Sequence, residues 1–226
     1  TEFSLLDGAC RIRDLPGIVK AMGQTACAVT DHGVMYGAVD FYRACKAEGV
    51  KPIIGCEVYV TPRAGPGSTR STSWTRRAAI WCCSARTRRA TGTCPTWCPW
   101  AGQRLLYQAP DRPGAAAAVQ RGLIALSACL AGEIPRRLRN GEYENAKAYA
   151  LELSHIFGPD RFYLELQDHG IRDQAIVNQG ILRIHRETGL PMVCTNDAHY
   201  LRKEDAEAHD VLLCIQTGKT IDDENR

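Results

Sequence analysis

Apolar residues gather in five short runs rich in β-branched side chains, at 26–30, 51–60, 122–128, 162–167 and 191–195, and polar residues close most of them. Runs of this length and composition predict strands. Three stretches between them carry a helical period instead. These are 36–48, closed by Gly49; 142–157, with Ala146, Tyr149, Ala150 and Leu153 on one face; and 171–188, with Val177, Ile181 and Ile184 at i, i+4 and i+7. Strand followed by helix, repeated, predicts parallel strands with helical crossovers, in either an α/β barrel or an open doubly wound sheet.

In a parallel barrel the strand C-termini converge on one face, so residues distant in sequence meet there. Here 26–30 runs into Asp31-His32-Gly33, and 51–60 carries Glu57 in its second half. The run 122–128 stops at Cys129, 162–167 at Asp168-His169-Gly170, and 191–195 at Asn196-Asp197-Ala198-His199. Imidazole, thiolate and carboxylate together suit zinc, manganese or iron better than magnesium, which prefers oxygen ligands. Asp197 and His199, at i and i+2, fall on the same side of an extended chain. A set larger than four predicts two or three ions, an arrangement that stabilises both attacking and leaving oxygens in phosphoester hydrolysis. A single His or Cys beside an apolar run is more often structural. The argument for this set is that all five runs carry such residues near their ends. Asp31 and Asp168 precede their histidines directly and read equally well as orienting partners or as turn residues. His155, His185 and His209 fall within or beside helical patterns and read as surface or helix-end histidines.

The chain has 226 residues, 45% apolar and 23% charged, which excludes a disordered chain and provides for one large domain or two small ones. No apolar stretch approaches the roughly 18 residues of a membrane span, and no basic-then-apolar leader opens the sequence. A cytoplasmic location without membrane attachment is expected. The net charge of +3 is unevenly spread. Residues 64–120 hold eight Arg, no Lys and one acid, Asp111, whereas the other 169 residues hold 20 basic and 24 acidic groups. All four Trp and Cys82, Cys83, Cys94 and Cys98 lie in that segment too. Their spacing lacks the paired C-x2-C of structural zinc sites. The other seven cysteines are scattered singly, which predicts a reducing compartment and no disulfide framework. No GxxxxGK[ST] phosphate loop occurs, and the run 203–207 (KEDAE) reads as a solvated helix face.

TEFSLLDGACRIRDL, TDHGVMYGAVDFYRACKAEGVKPIIGCEVYV, GLIALSACLAGEIPRRL, FYLELQDHGI and the long segment TNDAHYLRKEDAEAHDVLLCIQTGKTIDDENR resemble the N-terminal PHP (polymerase and histidinol phosphatase) domain of the bacterial DNA polymerase III alpha-subunit family. The likeness covers about 1–63 and 121–226. It implies a distorted (β/α)7 barrel whose strand ends bind up to three divalent ions, zinc or manganese. Matched to the family's ligand positions are Asp7 in SLLDG, His32 in TDHG, Glu57 in GCEVY, Cys129 in SACL, His169 in LQDHG, and Asp197 with His199 in NDAHY. The likeness implies a fragment of a replicative DNA-directed DNA polymerase, with DNA and other replicase subunits (sliding clamp, clamp loader, a proofreading subunit) as partners. Some members of the family use the ions for 3′–5′ exonuclease proofreading; in others the domain is a scaffold that docks a separate proofreading subunit.

Two departures from the family pattern are visible. The family's His-x-His pair would precede Thr1, and its His-Leu-Val-Leu-Leu strand is missing, since no His occurs from 33 to 154. An out-of-frame translation of 64–120 accounts for the second. Reading 73–100 from the third base of each codon permits E-L-D-P-E-S-R-H-L-V-L-L, with the His encoded across the codons of Ala79 and Ile80. Reading 103–112 from the second base permits the family-like K-G-F-Y-T-K-P-R-I-D. The expected organisation is therefore an incomplete barrel in two parts, 1–63 and 121–210, around an aberrant 64–120, with 211–226 beginning the connection to a palm domain.

Overall fold

The structure is a computed structural model and describes residues 1–59, 79–83 and 123–223. The elements run α1 (Leu15–Ala21), β1 (Ala26–His32), α2 (Ala38–Glu48), β2 (Lys51–Tyr59), β3 (Ala79–Cys83), β4 (Ile124–Leu126), α3 (Glu133–Arg139), α4 (Tyr143–Phe157), β5 (Phe162–Leu166), α5 (Arg172–Thr188), β6 (Met192–Cys194) and α6 (Ala206–Thr217). The architecture is mixed α/β, as the alternating pattern requires. Two compact units divide the chain, one made of Thr1–Cys56 with Ala198–Arg226 and one of Glu57–Asp197.

In the first unit β1 lies beside β2, and the Lys51 N–H donates to the Thr25 carbonyl at 2.9 Å. Helix α2 begins after Gly37 and ends on Gly49, whose φ of +74° lies in the left-handed region that glycine enters without a Cβ penalty. Phe41 and Cys45, one turn apart, are fully buried against Ile12, Val19, Val29 and Val50. Pro16 sits in the first turn of α1, where its missing N–H has no partner to lose. Helix α6 runs on continuously across positions 210 and 211. The charged run ahead of it forms a 3-10 turn, Lys203–Asp205, followed by the first residues of α6, and is largely solvated as expected.

In the second unit β4, β5 and β6 pair in parallel, with Ala125 opposite Phe162 and Leu164 opposite Met192. Phe162 and Leu164 are buried on β5. Helix α3 packs on α4 and α5, and Gly180 of α5 approaches so closely that a Cβ there would lie 2.7 Å from the Leu138 side chain. Val177, Ile181 and Ile184 form the buried stripe of α5 that their spacing predicts.

One expectation is corrected. Strand β3 runs antiparallel to β4, with Trp81 opposite Leu126, although only parallel strands were expected. Antiparallel neighbours need no helical crossover, so alternation elsewhere in the chain does not constrain this pair. Apart from β3, the segment 64–120 on which the out-of-frame reading falls lies outside the described residues. Among the described residues no helix is long and apolar enough to cross a membrane.

Candidate metal centre

One group of three potential ligands forms within the first unit, from Asp7, His32 and His199, whose ligand atoms all lie within 4.8 Å of one another. His32 is the last residue of β1. Its Nε2 lies 3.0 Å from Asp7 Oδ2, and its ring centroid is 6.0 Å from that of His199.

Ser4 holds the Asp7 turn and the end of β1 together. Its buried hydroxyl donates to Asp31 Oδ1 at 2.8 Å and accepts the His32 backbone N–H at 3.2 Å. Its carbonyl accepts the N–H groups of Asp7 and Gly8. Asp31 is buried and accepts the Thr1 hydroxyl as well, so it organises the neighbouring segment. His199 is tied to the same segment through its carbonyl, which accepts the Ala9 N–H at 2.7 Å.

Burial alone would raise the Asp7 carboxyl. The hydrogen bond and charge of His32, with the charges of His199 and His209, outweigh it and hold the group below its ordinary range. Asp7 Oδ1 is nevertheless buried without a hydrogen-bond partner among the described residues. A buried polar atom left this way calls for an ion or water. Two imidazoles and a carboxylate fit zinc or manganese, and three protein donors leave a coordination position open, as catalytic rather than closed structural zinc sites do.

His209, read from the sequence as a surface or helix-end residue, belongs to this neighbourhood. It lies on α6 with its ring 5.8 Å from His199 and 5.2 Å from Tyr200. Its Nε2 is buried without a hydrogen-bond partner among the described residues. A single His in an apolar helical stretch carries no signal that would have singled it out, and neither does Ser4.

The remaining expected ligands, Glu57, Cys129, His169 and Asp197, fall in the second unit. Burial pushes the Cys129 thiol up to about 12, and the carboxylates of Asp197, Glu57 and Glu165 add to the shift. A divalent cation among these groups would reverse that balance and favour the thiolate. Asp197 and Ala128, the residue before Cys129, have positive φ, +47° and +66°, so left-handed backbone falls at one candidate ligand and directly before another. His169 is engaged at both ring nitrogens, Nδ1 by the Gln174 amide and Nε2 by the Asn196 carbonyl, each at 2.7 Å. Asp168 accepts the Gly170 N–H at 3.1 Å, the bond of a turn residue.

Glu165, absent from the expected set, is 2% exposed. Its Oε1 accepts the Thr195 hydroxyl and the Gln167 amide, and its Oε2 has no partner among the described residues. Desolvation raises this carboxyl. The folded state therefore binds the proton more tightly than the unfolded one, and stability falls as pH rises above the ordinary value of 4.5 toward the raised one. Glu165→Gln is expected to remove that decline. Denaturant titrations of both proteins from pH 4 to 8 check it, and parallel pH profiles would contradict it.

A model of the PHP domain family matches residues 1–169. DNA polymerase III subunit alpha from Thermus aquaticus is 42% identical over 232 residues, and that from Treponema pallidum is 37% identical over 227. Each match takes in all of this chain but 19% of the relative, so the chain spans about a fifth of their length. A solved amidohydrolase from Chromobacterium violaceum, with bound sulfate and no metal, superposes with a TM-score of 0.52 at 15% identity, covering 89% of this chain and 86% of that one. That likeness concerns the fold. The match over three-quarters of its length makes this chain a member of the PHP domain family.

Proposed function

We propose that this chain is the PHP part of a replicative DNA polymerase alpha subunit and that it degrades DNA strands from the 3′ end with the help of divalent ions. The observation that carries this reading is the convergence of Asp7, His32 and His199, with a buried carboxylate oxygen lacking any partner among the described residues. Bound divalent ions supply Lewis acidity toward a phosphodiester and lower the pKa of water. The chain's own contribution is positional. Ser4 and Asp31 fix the turn that presents Asp7, the His32 imidazole orients the carboxylate, and Ala9 anchors the backbone of His199. Glu57, Cys129, His169 and Asp197 would hold further ions, zinc or manganese, up to three in an intact distorted (β/α)7 barrel. In this reading 64–120 is an out-of-frame translation that replaces part of that barrel. The protein works in the cytoplasm with DNA, a sliding clamp and a clamp loader.

A second reading, a scaffold that docks a separate proofreading subunit, draws on the exposed apolar Val211 and Ile215, one turn apart on α6. Incubation of the purified chain with 5′-labelled single-stranded DNA and Mn2+ or Zn2+ separates the two. Stepwise loss of 3′ nucleotides, stopped by a chelator, is the expected result. Undigested DNA at all metal concentrations would favour the scaffold.

A further inference from the structure

Leu5 and Tyr36 are the two most exposed large apolar side chains among the described residues, at 80% and 76%. Both lie close in sequence to residues of the metal centre. Leu5 stands two residues before Asp7, with the exposed Leu6 between them, and Tyr36 follows His32 by four. The fold leaves both uncovered, although burying such side chains would stabilise it. The turn that carries Tyr36 is nevertheless firmly seated. Gly33 takes a φ of +68° directly after His32. A Cβ on Gly37 would lie 2.5 Å from Ile12 and 2.7 Å from the Phe3 ring, so this turn is clamped against the segment that presents Asp7.

We propose that Tyr36, with Leu5 and Leu6, forms the platform on which the 3′-terminal base of a DNA strand stacks while its phosphodiester reaches Asp7, His32 and His199. The proposal rests on the nuclease reading above and adds the group that seats the substrate. Every base offers a π-face, so an exposed Tyr suits an enzyme that must accept any terminal nucleotide. The charges on α2 fit the same placement. Asp40, one turn from Tyr36, disfavours a phosphate there and leaves a neutral base as the group that fits beside the ring. Further along, Arg43 and Lys46 are exposed, with the Lys46 ammonium 5.7 Å from the Tyr42 ring centroid, and supply cations for the sugar-phosphate backbone.

The test compares the full chain with its Tyr36→Ala and Tyr36→Trp variants on single strands ending in 2-aminopurine, in EDTA so that nothing is cut. Quenching of the terminal fluorophore is expected with the parent and Tyr36→Trp and not with Tyr36→Ala, whose metal affinity should match the parent. With metal, the parent should prefer a base-bearing over an abasic 3′ terminus by roughly 5- to 150-fold in kcat/KM, and Tyr36→Ala should lose that preference. Equal quenching, or equal discrimination, by parent and Tyr36→Ala overturns the platform. If the parent shows no chelator-sensitive digestion, the nuclease reading falls, and the quenching comparison still decides the platform.

Discussion

Exchange of His32 for Ala lowers the affinity for Zn2+ or Mn2+ by more than about 100-fold, since loss of even an outer partner of a metal ligand costs about 10- to 100-fold. His32 has two roles at the centre. It supplies one of three donors, and its Nε2, 3.0 Å from Asp7 Oδ2, keeps the carboxylate charged and aimed. Without that hydrogen bond and charge, burial is opposed only by the charges of His199 and His209, and the Asp7 carboxyl rises. Asp7 therefore holds a proton over a wider range of pH and competes less well for a cation. A second consequence follows for the apoprotein. A carboxyl held below its ordinary value of 3.8 contributes stability that is present above that value and is lost as pH falls through the depressed one. His32→Ala should lose part of that contribution. Competition with a chromophoric chelator measures the affinity, and Lys20→Ala, which removes an exposed pair with Glu48, serves as the control. A loss smaller than tenfold would place the ion elsewhere.

Phe41→Ala is expected to destabilise the protein by about 3–5 kcal/mol, the usual cost of removing a buried aromatic ring. Phe41 is fully buried and packs with Ile12, Val19, Val29 and Val50. The loss is a large part of the ~5–15 kcal/mol that holds an ordinary domain together. The same ring seats α2 against β1, whose last residue is His32, so the variant should bind metal more weakly. Excess metal should then recover part of the stability, because only the folded protein binds it. Denaturant midpoints with and without Zn2+ measure both effects. A cost below 1 kcal/mol would show that α2 is not held by this core.

The elements with a long period were legible. Seventeen residues of α5 give two turns of repeated apolar positions before the pattern needs support, and β5 and α4 were found within a residue of their ends. Helices α1 and α3, at seven residues each, are too short for a period to emerge. The direction of β3 was not legible at all, because an apolar run says nothing about which way its neighbour points. At the metal centre, His32 and His199 stood out as polar residues closing apolar runs. Asp7 had no such run before it and came only from the family likeness. His209 and Ser4 depend on the fold to bring them near the ligands, so a single polar residue in each place gave no pattern to read.

The account rests on Asp7, His32 and His199 sharing one ion. Anomalous scattering from crystals of the chain equilibrated with Zn2+ tests this directly. A peak about 2.0–2.2 Å from a carboxylate oxygen of Asp7 and from one ring nitrogen of each histidine is the expected result. A map with no peak among these three side chains, at a metal concentration that saturates the protein in solution, would contradict it.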